Sequence, residues 1–175
     1  VPVVMMGLII SLISDNLNRS IEIIGWATLG FGILLGISDK IGLAVNDLRH
    51  MGTGDAILIG ISQALALIPG ASRAGLTITM ARFLGYDRKT AARFSLLLAI
   101  PAILGASTLK GIELLGTKDL ILGVDALIAA SVSFIAALLS ISIMMAWLDK
   151  VGFMPFVIYR IILGTALLIW VYAML

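Results

Sequence analysis

The sequence predicts an all-α integral membrane protein, a bundle of transmembrane helices with one re-entrant helical hairpin. Three observations predict it. First, 61% of the 175 residues are hydrophobic and only 13% are charged, about half the charged share of a soluble domain, and the mean hydropathy is +1.14. Second, long apolar runs alternate with short polar segments, and the longer runs reach the roughly 20 residues needed to cross about 30 Å of hydrocarbon. Third, one pair of apolar runs is too short to cross and flanks a polar tip. Residues 1–175 read as a single membrane domain.

Taken in order, Val3 to Ile13 is apolar but short, as the end of a helix that begins upstream would be. The chain opens Val1-Pro2 with no methionine and directly in apolar sequence, which reads as a fragment or a trimmed chain. Ser14 to Ser20 is a polar loop. Ile21 to Ser38 is a span, with Glu22 near its interfacial start. Ser38 to Asp55 is a mixed loop carrying Asp39, Lys40, Asp47, Arg49 and His50. Ala56 to Ile68 stops at Pro69-Gly70, and about 13 helical residues cover only about 20 Å. Leu76 to Leu84 is equally short. These two half-length helices and the tip between them predict a re-entrant hairpin over about residues 55–86, since irregular backbone at membrane depth is tolerated only where protein or a wet cavity satisfies it. Thr90 to Thr108 then crosses, with a kink expected at Pro101. Lys110 to Asp119 is a loop, Leu120 to Leu148 a long span, Asp149 to Gly152 a tight turn, and Pro155 to Leu175 the last span.

Orientation follows from basic residues near the span ends. A re-entrant hairpin gathers Lys40, Arg49, Arg82, Arg88, Lys89 and Arg93 on one side. The opposite loops hold Arg19, Lys110 and Lys118, diluted by acids. The first side is therefore assigned to the cytoplasm. From it the hairpin points toward the midplane, and the C-terminus is external. Arg82, Arg88, Lys89 and Arg93 read as a solvated patch with some attraction to anionic headgroups.

Composition also excludes functions. The absence of cysteine removes disulfides and thiolate metal sites. His50 is the one histidine, and a net charge of +2 is too small to suggest nucleic acid. No metal ligands are assigned within the chain. What remains is the hairpin tip, Pro69 to Gly75. Arg73 at membrane depth costs at least about 2.5 kcal/mol, and intramembrane charge is a functional signal by default. Gly70 and Gly75 allow tight turns. The second half-helix is expected to start near Gly75, turning free N–H groups and a positive dipole end to the tip. Such a helix start suits a phosphate, and the arginine fork fits its oxygens. Ser72 and Thr77 add hydroxyl donors or in principle a nucleophile, and Gly70, Ala71, Gly75 and Gln63 are the candidate substrate-binding residues beside the candidate catalytic Arg73, Ser72 and Thr77. The alternative for Arg73 is pairing with a carboxylate to hold the hairpin together. Asp125, inside the long span, is expected to pair with Arg160 in the last span; direct substrate binding is the other reading. Gly32 and Gly36 form a small-xxx-small pattern, with Gly25 one face away, for helix packing within the fold or a homodimer contact. Trp26, Trp147, Trp170 and Tyr172 serve as interface anchors.

Three segments carry a resemblance. Residues 60–77 (GISQALALIPGASRAGLT), 85–106 (GYDRKTAARFSLLLAIPAILGA) and 153–160 (FMPFVIYR) occur in order and resemble the undecaprenyl-diphosphate phosphatases, the bacitracin-resistance family. The resemblance implies an enzyme of the bacterial cytoplasmic (inner) membrane. It would hydrolyse undecaprenyl diphosphate to the monophosphate carrier used in cell-wall synthesis. It further implies an inverted-repeat fold with two re-entrant hairpins, a divalent cation (magnesium or calcium), and functional roles for Ser72, Arg73 and Thr77. Ala74 stands where the family often has serine. The family's glutamate-rich first signature is not found here, and Gln63 holds a comparable place but cannot ionise. The chain therefore reads as the C-terminal part of such an enzyme, holding half a site, with the cation ligands outside it. Arg73 and the hairpin N–H groups would stabilise phosphoryl charge. Ser72 would hydrogen-bond the phosphate, since no base is at hand to activate it. A transporter or flippase of a lipid-linked phosphate is the alternative, because broken helices with a midplane anion site also describe transporters.

Overall fold

The structure is a computed structural model that describes residues 21–46, 49, 51–117 and 120–173. The apolar run at Val3 to Ile13, the loop at Ser14 to Ser20, and Asp47, His50, Lys118 and Asp119 lie outside the described residues. The described chain is all-helical: α1 (Ile21–Ile41), α2 (Thr53–Ser62) continued by a 3-10 segment (Gln63–Leu67), α3 (Arg73–Phe83), α4 (Arg88–Thr117), α5 (Leu120–Val151) and α6 (Met154–Ala173). Within α1, α4, α5 and α6 lie four stretches long and apolar enough to cross a membrane: Ile21–Ile41, Arg88–Thr108, Val124–Leu148 and Met154–Ala173. Thr53–Leu67 is apolar but short. The chain is thus a multi-span membrane helix protein.

Several boundaries differ from the sequence expectation. The helix at Thr90 does not end at Thr108 but runs to Thr117, with Pro101 inside it. Lys110 to Thr117 is rich in leucine, isoleucine and other good helix formers, so polarity alone did not end it. The long span continues to Val151, and the reversal falls at Gly152, whose φ of +66° explains the glycine. The second hairpin helix starts at Arg73, not Gly75, because Ser72 caps it: Ser72 Oγ accepts the Gly75 N–H at 3.2 Å.

α1 packs chiefly on α6, and small residues allow the approach. A methyl added at Gly25 would stand 2.9 Å from Leu168, at Gly32 2.9 Å from Arg160, and at Gly36 3.0 Å from Val157. Gly25 therefore shares one stripe with Gly32 and Gly36, and the stripe is used within the chain. Beyond it, Tyr172 donates to Glu22 at 2.8 Å, and the Trp26 indole N–H points to Tyr172 at 3.4 Å. The buried cluster includes Leu35, Ile59, Ile78, Tyr86, Leu148, Phe153 and Val157.

α2 and α3 form a hairpin of short helices whose two ends are tied together. The Tyr86 hydroxyl, just past α3, donates to Asp55 in the first turn of α2 at 2.6 Å. Burial, with that bond and the Asp55 charge, pushes the Tyr86 phenol up to about 12. Burial alone would raise Asp87. Hydrogen bonds from Thr90 and the charge of Arg82 instead hold its carboxyl below the ordinary value.

The hairpin base also carries a buried ion cluster. Asp39, at the end of α1, accepts from Arg88 Nε at 2.7 Å and Nη2 at 3.1 Å, and lies 3.7 Å from Arg82 Nε. It also accepts the Phe153 N–H at 3.3 Å. Arg82 donates further to the carbonyls of Tyr86, Gly42 and Asp39. Arg82 is therefore buried and does not belong to a solvated patch, while Arg88 pairs with Asp39 and keeps 39% of its side chain exposed. Being arginines beside a buried carboxylate, they clamp α1, α3, α4 and the α5–α6 turn at one end of the bundle.

Candidate functional site

The tip between α2 and α3 is built from unusual backbone. Gly70 has φ +90° and Ser72 φ +65°, the one non-glycine positive φ among the described residues. A serine there costs of order 1–3 kcal/mol and persists only if its surroundings over-determine it. They do so from two sides. Thr28 Oγ1 on α1 donates to the Gly70 carbonyl at 3.3 Å. Arg160 Nη2 on α6 donates to the same carbonyl at 2.6 Å and to that of Ala71 at 3.1 Å.

Arg160 therefore does not pair with Asp125, which is exposed on α5. Through Nη2 it serves tip carbonyls that the irregular turn leaves without helical partners. Its stem passes α1 at Gly32, where any side chain would collide with it. Sequence reasoning placed both arginine and glycine but did not join them to the tip. A charge in mid-span was the only signal.

Gly70 lies so close to α1 that an added methyl would sit 2.6 Å from the Ile24 carbonyl oxygen. With its positive φ, Gly70→Ala is expected to cost about 3 kcal/mol, seen as a lower melting temperature of the detergent-solubilised protein.

A groove of about 340 Å³ opens beside the tip. Its polar end is made by Thr28, Gly70, Ser72, Gly75 and Arg160, and its walls by Leu35, Ile78, Phe153, Phe156 and Leu163. Of the residues expected at the site, Gly70, Ser72 and Gly75 line this groove. Ala71 is buried under the tip and contributes its carbonyl. Arg73 occupies the first turn of α3, exposed and outside the groove lining. Thr77, 1% exposed, does not face the groove: its hydroxyl meets Ser95 Oγ at 2.7 Å and the carbonyls of Arg73 and Ala74 at 3.1 Å. Gln63 is buried in the 3-10 segment.

The first-turn amides of α3 and the Arg73 fork supply anion-binding donors. They do not supply cation ligands. Among the described residues no three histidine, aspartate or glutamate side chains converge. The carboxylates of Asp39, Asp55 and Glu22 are engaged by arginine or tyrosine. The described residues do not fit a divalent cation.

Residues 1–166 match the family described as bacitracin resistance protein BacA. Among curated proteins, the chain is 53% identical over 149 residues to undecaprenyl-diphosphatase 1 of Rhodospirillum rubrum, covering 85% of this chain and 53% of that one. It is 42% identical over 174 residues to undecaprenyl-diphosphatase of Roseobacter denitrificans, covering 99% and 65%. It is 46% identical over 173 residues to undecaprenyl-diphosphatase of Hahella chejuensis, covering 98% and 64%. The chain thus spans between about half and two thirds of the length of these relatives.

Proposed function

The chain belongs to the bacitracin resistance protein BacA family, and from that premise we propose that it forms the arginine-bearing part of an undecaprenyl-diphosphate phosphatase. The substrate is a prenyl diphosphate in the bacterial cytoplasmic membrane, and the products are the monophosphate carrier and inorganic phosphate. A divalent cation, if used, draws its ligands from outside this chain. The single membrane domain is completed by the remaining length that the relatives possess. The glycine stripe that could have served a homodimer is occupied by α6, so no dimer is built on it.

One observation carries the reading: an amphiphilic groove ends at a strained, glycine-bearing helix start with an arginine in its first turn. The hairpin is re-entrant in this proposal, and two contacts support that. Its ends are joined at the base by Tyr86 and Asp55. Along α1, the base contact at Asp39 and the tip contact at Thr28 lie about three helical turns apart, roughly 16 Å, near half the hydrocarbon thickness of about 30 Å.

In the reaction, water adds to the terminal phosphorus. The bond to the bridging oxygen breaks, and that oxygen leaves with the prenyl phosphate. Arg73 and the α3 amides stabilise charge on the terminal phosphoryl oxygens. Ser72, already accepting from Gly75, can donate its hydroxyl proton to a phosphate oxygen. Thr77 acts from behind, fixing the first turn of α3 through Ser95. Gln63 and Ala71 support the cradle without touching the phosphate. The apolar walls take the first prenyl units.

The test is phosphate release from a prenyl diphosphate by the complete protein in detergent, against translocation of the same lipid in sealed vesicles. Release is the expected result. Translocation without release would replace the phosphatase by a flippase that uses the same cradle.

A further inference from the structure

Arg160 is a cation inside a spanning helix, and among the described residues no carboxylate stands beside it. It is 8% exposed. Nη2 serves the two tip carbonyls, while Nε is buried with no hydrogen-bond partner among the described residues. A guanidinium has five N–H donors, so most of this one is unused. Asp125 is exposed on another helix and Asp39 is held by Arg82 and Arg88. A buried charge left uncompensated is costly, and at membrane depth it points to a bound counter-ion.

The groove is the space open to such an anion. Arg160 lines it together with Ser72 and Gly75, and Arg73 does not. A methyl at Gly75 would stand 2.8 Å from Arg160 Nη1, so only glycine leaves that nitrogen room at the groove's polar end. The apolar walls continue from the same end through Phe156 and Leu163. An acid head at Arg160 would therefore have its apolar tail in the groove, while Arg73 lies exposed in the first turn of α3, outside the groove lining.

Resting on the phosphatase reading, we propose that Arg160 binds the phosphate that carries the prenyl chain, and Arg73 the terminal phosphate that is removed. When the bond to the terminal phosphorus breaks, the bridging oxygen takes the electron pair and stays on the prenyl phosphate. Arg160 stabilises the charge that develops there and holds the monophosphate product. Arg73 serves the phosphoryl group in transfer.

The experiment measures binding of two probes to the complete protein: a short-chain prenyl monophosphate and inorganic phosphate. Arg160→Gln is expected to weaken the prenyl monophosphate by about tenfold or more, the worth of a hydrogen bond to a charged group, and to leave inorganic phosphate unchanged. Arg73→Ala is expected to do the reverse. Arg160→Lys, which keeps the charge, restores part of the monophosphate affinity. Should the glutamine variant fail to fold, Arg160→Lys, which keeps the charge but loses the fork, carries the test and is expected to weaken the prenyl monophosphate alone. Unchanged monophosphate binding in Arg160→Gln, or in Arg160→Lys where it substitutes for it, overturns the assignment, as does equal weakening of both probes. Both probes are products, so their binding decides the role of Arg160 even if the wild type releases no phosphate, a result that would sink only the phosphatase reading.

Discussion

Arg73→Ala is expected to lower phosphate release from a prenyl diphosphate by at least about a thousandfold, the scale on which arginines act in phosphoryl transfer. The same variant should melt at the wild-type temperature or slightly above it. Arg73 is exposed and makes no side-chain hydrogen bond or ion pair among the described residues. It also stands in the first turn of α3, where a cation opposes the positive end of the helix dipole at a cost of about 0.3–1 kcal/mol. A residue that stabilises the fold would not be placed there; one that waits for an anion would. Phosphate release measured beside a thermal melt separates the two effects. Near-normal turnover would remove Arg73 from the centre of the mechanism, and a large fall in melting temperature would return it to a structural role.

The second large effect lies at the other end of the hairpin. Asp39→Ala is expected to cost about 3–5 kcal/mol, because removing one partner from a buried ion cluster strands the others. Arg82 is 3% exposed and Asp39 4%, so water does not replace the lost carboxylate. The backbone N–H of Phe153 loses its acceptor as well. Chemical unfolding of the detergent-solubilised protein reads this loss directly. A destabilisation below about 1 kcal/mol would mean that the cluster is solvated and does not clamp the helices.

Much of this architecture was legible in the residues. Apolar runs longer than the bilayer needs marked α1, α4, α5 and α6, because hydrocarbon thickness is a threshold that local sequence either meets or misses. The short pair around Pro69 and Gly70 marked the hairpin for the same reason. Helix ends were less legible: Lys110 to Thr117 is polar enough to suggest a loop, yet the helix continues through it. The break at the tip was readable from Gly70, Ser72 and Gly75, which the structure brings to one groove. Thr77 was not, because a threonine one turn into a helix can face either side, and only the packing of α3 on α4 turned it to Ser95.

The sequence by itself determined that this protein crosses a membrane in several helices and holds an arginine at a break between two short ones. Both are consequences of composition and run length, which no neighbour can alter. The partners of the charges were decided by tertiary structure alone. Asp125 and Arg160 both lie in apolar spans, yet Arg160 turned to the tip carbonyls, while Asp39, Arg82 and Arg88 formed the ion cluster instead. Guanidinium groups reach several ångströms and accept any nearby oxygen. Which oxygen they find depends on the helix faces that glycines such as Gly32 bring together, and that is a property of the packed bundle.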